Sequence, residues 1–125
     1  MEFTLRKPPT INRIYAYSCI TGHAKSYITA EGRTWFEESG YLLKSAINAF
    51  SRGKRDPHFP LTENVTVLIK LYTCMHQDID NILKPILDLM TKSNLITDDS
   101  IITLLTVEKV KVKHKNEEKI EVEVY

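Results

Sequence analysis

Four aspartates and a lysine, Asp78, Asp80, Asp98, Asp99 and Lys84, are the candidates for a reactive centre. They stand in Asp78-Ile79-Asp80-Asn81-Ile82-Leu83-Lys84 and, further on, Thr97-Asp98-Asp99-Ser100. Asp78 and Asp80 fall between a strand-like segment and a helix-like one, where an extended turn lets both carboxylates point the same way. Lys84 follows Asp80 by one helical turn, on the same side of the helix. If the strand after Asp99 lies beside the strand before Asp78, the second acidic pair returns to the first. Three or four carboxylates then surround a point, with one ammonium at its edge. Hard oxygen ligands of this kind suit Mg²⁺, which takes one or a few carboxylates plus water and phosphate oxygens. Phosphodiester hydrolysis needs a neutralised phosphate, a hydroxide and a stabilised leaving oxygen, and a carboxylate-held metal can supply all three. A lysine nearby adds positive charge to the transition state or orients the water.

Each part also has a structural reading. Asp-x-Asp is a common turn and cap pattern. Asp80 and Lys84 could form only a surface helix pair, worth about 0.2–0.5 kcal/mol. Asp98-Asp99 before a strand is an ordinary turn signal, and Asp88, two turns into the helix between Lys84 and Lys92, reads as ordinary surface.

Periodicity predicts the strands and helices around them. Residues 2 to 6 alternate weakly before Lys7-Pro8-Pro9-Thr10, whose prolines exclude helix and central strand. A strand is expected from Arg13 to Ser18, then a turn or loop at Thr21-Gly22-His23-Ala24-Lys25. Thr29 should cap a helix from about Ala30 to Phe50, with Trp35, Tyr41 or Leu42, Ala46, Ala49 and Phe50 as its apolar stripe and Gly32 and Gly40 as weak points. Val65 to Tyr72, rich in β-branched residues, reads as a buried strand. Ile79, Ile82, Leu83, Ile86, Leu87 and Met90 form the core face of a second helix. Pro85 confines that helix's first turn to Asp80–Lys84, with Asp80 or Asn81 as N-cap. After a connector from Ser93 to Ser100, Ile101–Lys113 and Lys119–Tyr125 read as a terminal hairpin. Glu121 and Glu123 would then sit opposite Lys113 and Lys111 and neutralise the row Lys109, Lys111, Lys113, Lys115.

A chain of 125 residues fits a single domain, 1–125. No apolar run approaches a membrane span, and Met1-Glu2-Phe3-Thr4-Leu5 does not read as a signal peptide. Cys19 and Cys74 lack metal-ligand spacing, so a reducing, cytoplasmic setting with free, buried thiols is expected. The net charge of +1 means that any DNA contact must come from local patches.

The stretch from Asp78 through Lys84-Pro85-Ile86-Leu87-Asp88 to Asp98-Asp99-Ser100 resembles the signature of the RusA family of Holliday junction resolvases. That pattern runs Asp-x-Asp-Asn-x-x-Lys, a short helix, then Asp-Asp. Pro8-Pro9-Thr10-Ile11-Asn12-Arg13-Ile14-Tyr15 is similar to the family's opening, and Thr29-Ala30-Glu31-Gly32 to the start of its first helix. The resemblance implies a homodimer that cuts branched, four-way DNA at two sites with Mg²⁺, Mn²⁺ being a substitute, and with no small-molecule cofactor. It implies Asp78, Asp80 and Asp99 as metal ligands and Lys84 as the catalytic lysine. Asp98 and Asn81 would support them from beside, and Asn12 and Tyr15 match positions in the opening. Some members carry arginines just before Asp-x-Asp, where this chain has Thr73-Cys74-Met75-His76-Gln77. DNA grip at that point is then weaker or supplied elsewhere, with Arg13, the Lys25 loop and the loop of Arg52, Lys54 and Arg55 as candidates.

The expected fold is α+β in two layers, a mixed β-sheet with two helices on one face, RusA-like. A looser flap or fork nuclease would share every residue named. A non-catalytic junction-binding architectural protein would bind without cutting, and a metal-binding structural protein would leave the N-terminal matches unexplained. Frequent Ile, Lys and Asn suggest an AT-rich genome, and the resemblance implies a bacterial, phage or prophage origin.

Overall fold

The computed structural model describes residues 1–20, 22–52, 59–74, 76 and 78–125. Among the described residues six strands and three α-helices follow in the order β1 (Glu2–Leu5), α1 (Ile11–Ile14), β2 (Tyr15–Ile20), β3 (His23–Ile28), α2 (Ala30–Ser51), β4 (Val65–Thr73), α3 (Asp80–Lys92), β5 (Ile102–Lys111) and β6 (Lys119–Val124). The main sheet is mixed, in the order β1-β6-β4-β5. Val65, Val67, Ile69 and Leu71 alternate to one buried face of β4, joined there by Phe3, Leu5, Ile120, Val122 and Val124. Trp35 and Leu43 of α2 and Ile82, Ile86, Leu89 and Met90 of α3 belong to the same core cluster. The expected two-layer α+β architecture is therefore the one observed.

The terminal hairpin is not. β5 runs parallel to β4, from Val65↔Ile102 to Thr73↔Lys111. β6 lies on the other side of β4, antiparallel to it and to β1. Glu121 faces Lys70 and Thr4, and Glu123 faces Leu68 and Glu2, so neither glutamate lies opposite the lysines of β5. An alternating pattern in two consecutive strands serves equally well when a third strand separates them. The segment after β5 crosses the end of β4, where the Val112 N–H donates to the Thr73 carbonyl at 3.1 Å.

Two further expectations are corrected. The segment read as a strand from Arg13 begins instead as α1, whose Arg13 and Ile14 amides donate to the Thr10 carbonyl. The loop expected at Thr21–Lys25 is mostly strand: β2 and β3 form a separate antiparallel ribbon, turned at Gly22 with φ +79°. On α2 the buried positions are Gly32, Trp35, Ser39 and Leu43, whereas Tyr41, Leu42, Ala49 and Phe50 face outward. Of the expected stripe only Trp35 is buried, with Ala46 packed at its margin.

Thr29 caps α2 as expected, its hydroxyl accepting from the Gly32 amide at 3.1 Å and donating to the Arg13 carbonyl at 2.6 Å. The Trp35 indole N–H donates to the Arg6 carbonyl at 3.0 Å. Gly32 permits the close approach: a Cβ there would meet the Ile14 carbonyl oxygen and Cγ2, each at 2.9 Å. Backbone cannot yield as a flexible side chain can, so Gly32→Ala is expected to lower stability by about 1–3 kcal/mol. Urea unfolding measures it, and an unchanged midpoint would mean that α1 and α2 separate freely.

Candidate active site

β4, α3 and β5 form a parallel β-α-β crossover, and each acidic pair sits at a different end of it. Asp78 and Asp80 follow the C-terminal end of β4. Asp98 and Asp99 precede β5, which starts beside Val65 at the other end. Between them lies α3, thirteen residues and so roughly 20 Å at 1.5 Å per residue. Among the described residues no three acidic, histidine or cysteine side chains converge as a metal site. The expectation that strand pairing alone would gather the carboxylates in one chain is thereby corrected: parallel pairing puts the two loops at opposite ends of the sheet.

Local geometry nonetheless keeps the carboxylates available. Neither Asp80 nor Asn81 caps α3. The residue before the helix, Ile79, is already helical (φ −60°, ψ −41°) and makes no side-chain cap. Backbone bonds from Asn81 to Asp78 and from Ile82 to Ile79, at 3.3 and 3.2 Å, close the first turn instead. Asp78 and Asp80 are exposed, as is Asp99, and none of the three is ion-paired among the described residues. Asp98 does cap: its carboxylate accepts from the Ser100 amide at 3.3 Å, and that serine holds its carboxyl below the usual range. Asn81 is half-buried in the first turn.

Lys84 pairs with Asp88. Its ammonium lies 3.3 Å from Asp88 Oδ2 and 4.7 Å from the centre of the Tyr15 ring. The Tyr15 hydroxyl donates a short hydrogen bond to the same Asp88 oxygen. Burial, then the bond to Asp88 and its charge, pushes the Tyr15 phenol above its ordinary pKa, so the hydroxyl stays a donor. Asp88, which read as ordinary surface, thus joins Tyr15 to Lys84. Tyr15 lies 73 residues away in sequence, which is why spacing could not find the contact.

Beside this end of the sheet a cleft of about 520 Å³ is lined by Arg6, Lys7, Arg13, His76 and Lys115, among others. Glu38 pairs with Arg6 at 3.0 Å and Glu31 with Arg13 at 2.9 Å. Lys7 pairs with Glu118 at 3.1 Å. His76 and Lys115 make no ion pair among the described residues. Sequence reading missed Arg6, Lys7 and His76, and it placed Lys115 in a neutralised row. The prolines of Lys7-Pro8-Pro9 were the available signal, since they fix the chain that walls the cleft.

Of the expected DNA-binding residues, Asn12, Arg13 and Tyr15 come together on α1 and the start of β2. Lys25 is exposed on the β2–β3 ribbon. Arg52 ends α2, twenty-two residues and so about 30 Å from the helix start beside α1. Lys54 and Arg55 lie outside the described residues. Both cysteines are free; Cys19 is exposed, not buried as expected, and Cys74 is partly buried. No helix among the described residues is long and apolar enough to cross a membrane.

Carboxylates left without counter-ions near a cation-lined cleft suit the class of enzymes that hydrolyse a polyanion. A family model described as endodeoxyribonuclease RusA matches residues 19–125. The chain belongs to the RusA family: it is a crossover junction endodeoxyribonuclease, a metal-dependent hydrolase acting on branched DNA. The match includes Asp78 through Asp99 and begins after the Pro8–Tyr15 opening. No curated protein matches the chain.

Proposed function

We propose that the protein, as a single RusA-like domain, resolves four-way DNA junctions as a homodimer by symmetric, Mg²⁺-dependent phosphodiester hydrolysis. The observation that carries this reading is the separation of exposed, unpaired Asp78 and Asp80 from Asp99 in a chain of a metal-dependent nuclease family. A complete carboxylate set requires a second copy, with Asp78 and Asp80 from one chain and Asp99 from the other. Two such sites related by a two-fold axis match the two-fold symmetry of a junction.

The donor set fits Mg²⁺, because carboxylate oxygens are its preferred protein ligands and these three carry no competing cation. Bound there, the ion supplies an acidified water and neutralises the phosphate. Asp98 fixes the turn that carries Asp99. Lys84, held by Asp88 and Tyr15 but still about half exposed, offers its free protons to the phosphate oxygens as charge develops. The cleft cations hold the flanking backbone without reading its sequence.

Asp88 is a positioning residue in this reading. Lys84→Ala is expected to lower kcat by about 100-fold or more. Asp88→Asn should lower kcat roughly tenfold with KM little changed, and should add nothing in a Lys84→Ala background. Additive losses in that double variant would remove Asp88 from the action of Lys84.

The reading as a whole is tested by cutting of a synthetic four-way junction, with linear duplex, flap and fork of matched sequence alongside. Paired symmetric nicks confined to the junction and dependent on Mg²⁺ are expected. Equal cutting of flaps and forks would make it a looser branch nuclease, and EDTA-resistant cutting would sink the metal assignment.

A further inference from the structure

The β2–β3 ribbon forms a two-stranded sheet of its own, apart from the main sheet. It keeps large side chains outside: Tyr17 is 76% exposed and Tyr27 51%. Across the ribbon Tyr15 faces Ile28, Ala16 faces Tyr27 and Tyr17 faces Ser26. Residues two apart in a strand share a face, so Tyr17 lies on the face of Tyr15, and Tyr27 lies on the opposite one with Lys25. The neighbours of Tyr17 on its face, Cys19, Ala24 and Ser26, are small. Its ring therefore stands clear of the ribbon, with room for a flat group against it. One ring offers a protein partner far less area than a stable interface needs. Residues 15–28 include no aspartate or glutamate, so no side chain of the ribbon repels a phosphate backbone.

The face shared by Tyr15 and Tyr17 starts at the candidate active site. The Lys84 ammonium lies 4.7 Å from the centre of the Tyr15 ring, and the Tyr15 hydroxyl donates to Asp88. Tyr17 stands two residues further on, roughly 7 Å along the strand, which corresponds to about two base steps of DNA. Inside a duplex each base is covered by its neighbours, and an aromatic side chain finds no open face unless the stack is first broken. At a branch point the stacks are interrupted, and the base pairs that end them present a bare face. We propose that Tyr17 stacks on the base pair bordering the branch point, and that this contact selects branched DNA over linear duplex.

Aromatic stacking is tolerant of base identity, so Tyr17 selects by branching and not by sequence. Lys25, on the opposite face, meets phosphates, which both kinds of DNA carry. This inference rests on the junction-cutting reading above and deepens it by naming the residue that tells the substrate from duplex.

The test measures binding of a labelled four-way junction and of linear duplex with matched sequence, in an Asp78→Asn background that binds without cutting. Tyr17→Ala is expected to raise the junction Kd about tenfold or more and to leave the duplex Kd within about twofold, with an unchanged circular dichroism spectrum. Tyr17→Phe should keep the preference, because the ring and not the hydroxyl makes the contact. Lys25→Ala should weaken both DNAs alike, and Tyr27→Ala, on the other face, should change neither by more than about twofold. An unchanged junction preference in Tyr17→Ala, or a loss shared equally with duplex, would overturn the stacking role. So would a Tyr17→Ala chain that changes its oligomeric state in sedimentation, which would assign the face to a second copy. If the chain with Tyr17 intact shows no preference for the junction, the junction reading itself falls and the inference with it. If preference and paired nicking both persist in a Tyr17→Ala chain that retains Asp78, the inference alone is rejected.

Discussion

Asp78→Asn and Asp99→Asn are each expected to slow junction cutting by about 1,000-fold, and their mixture to regain nicking at about a quarter of the wild-type rate. Each substitution removes one anionic ligand while conserving shape, so circular dichroism and junction binding should hold. In a mixed dimer the Asp78→Asn chain still supplies Asp99, and the Asp99→Asn chain still supplies Asp78. One site is then whole and the other carries both lesions. Random pairing makes half the dimers mixed, each with one working site of two. Such a dimer nicks one strand but cannot complete the paired cut, so nicked junctions rather than separated duplexes should accumulate. Co-expression with two affinity tags isolates the mixed species. If it is as inactive as its parents, the site does not divide between chains in this way.

Glu118 is expected to matter as much for stability as Asp78 does for cutting. Its side chain is 9% exposed and accepts from Lys7 at 3.1 Å, Thr73 at 2.9 Å and the Cys74 amide at 3.1 Å. Burial alone would raise its carboxyl, but the bonds from Thr73, Cys74 and Lys7 outweigh it and hold the pKa at about 2. A carboxyl depressed from 4.5 to about 2 contributes stability that is full above 4.5 and is lost as pH falls toward 2. After allowance for solvent screening, that contribution is on the order of 2 kcal/mol. Glu118→Ala leaves the Lys7 ammonium with the Thr73 hydroxyl at 3.2 Å but no counter-ion, and removes the acceptor of the Cys74 amide, for a total loss of about 3 kcal/mol at neutral pH. Thermal melts of wild type and Glu118→Gln should converge between pH 4.5 and 2. Parallel melting curves across that range would show that Glu118 is not the linkage.

Local features were the legible ones. The Thr29 cap depends on the amide of Gly32, three residues on, and β4 on the β-branched run within it. The acidic motif could be read for the same reason. What failed depended on partners distant in sequence. Alternation in Val110, Val112, Ile120, Val122 and Val124 could not reveal that β4 separates β5 from β6. Tyr41, Leu42 and Phe50 drew the stripe of α2 toward the wrong face, because apolar residues exposed there outnumber the small Gly32 and Ser39 that pack inward. Asp88 reads as ordinary surface, because its hydrogen-bond partner Tyr15 lies 73 residues away in sequence. The candidate ligands were individually legible, but their division between two ends of the sheet follows from parallel pairing, which no single segment encodes.

The position of β6 between β1 and β4 also bears on which strands can pair while the chain is being synthesised. β1 precedes the other strands in the chain yet, among the described residues, pairs in the sheet with β6 alone, the Met1 amine reaching the Val124 carbonyl across 123 residues of sequence. Phe3 and Leu5 therefore stay without their sheet partner while β4, α3 and β5 fold among themselves. Closing so long a loop costs more chain entropy than the local pairings do. A nascent chain still holding β6 in the exit tunnel can build the parallel crossover, but its sheet lacks Ile120, Val122 and Val124 and cannot yet enclose the core.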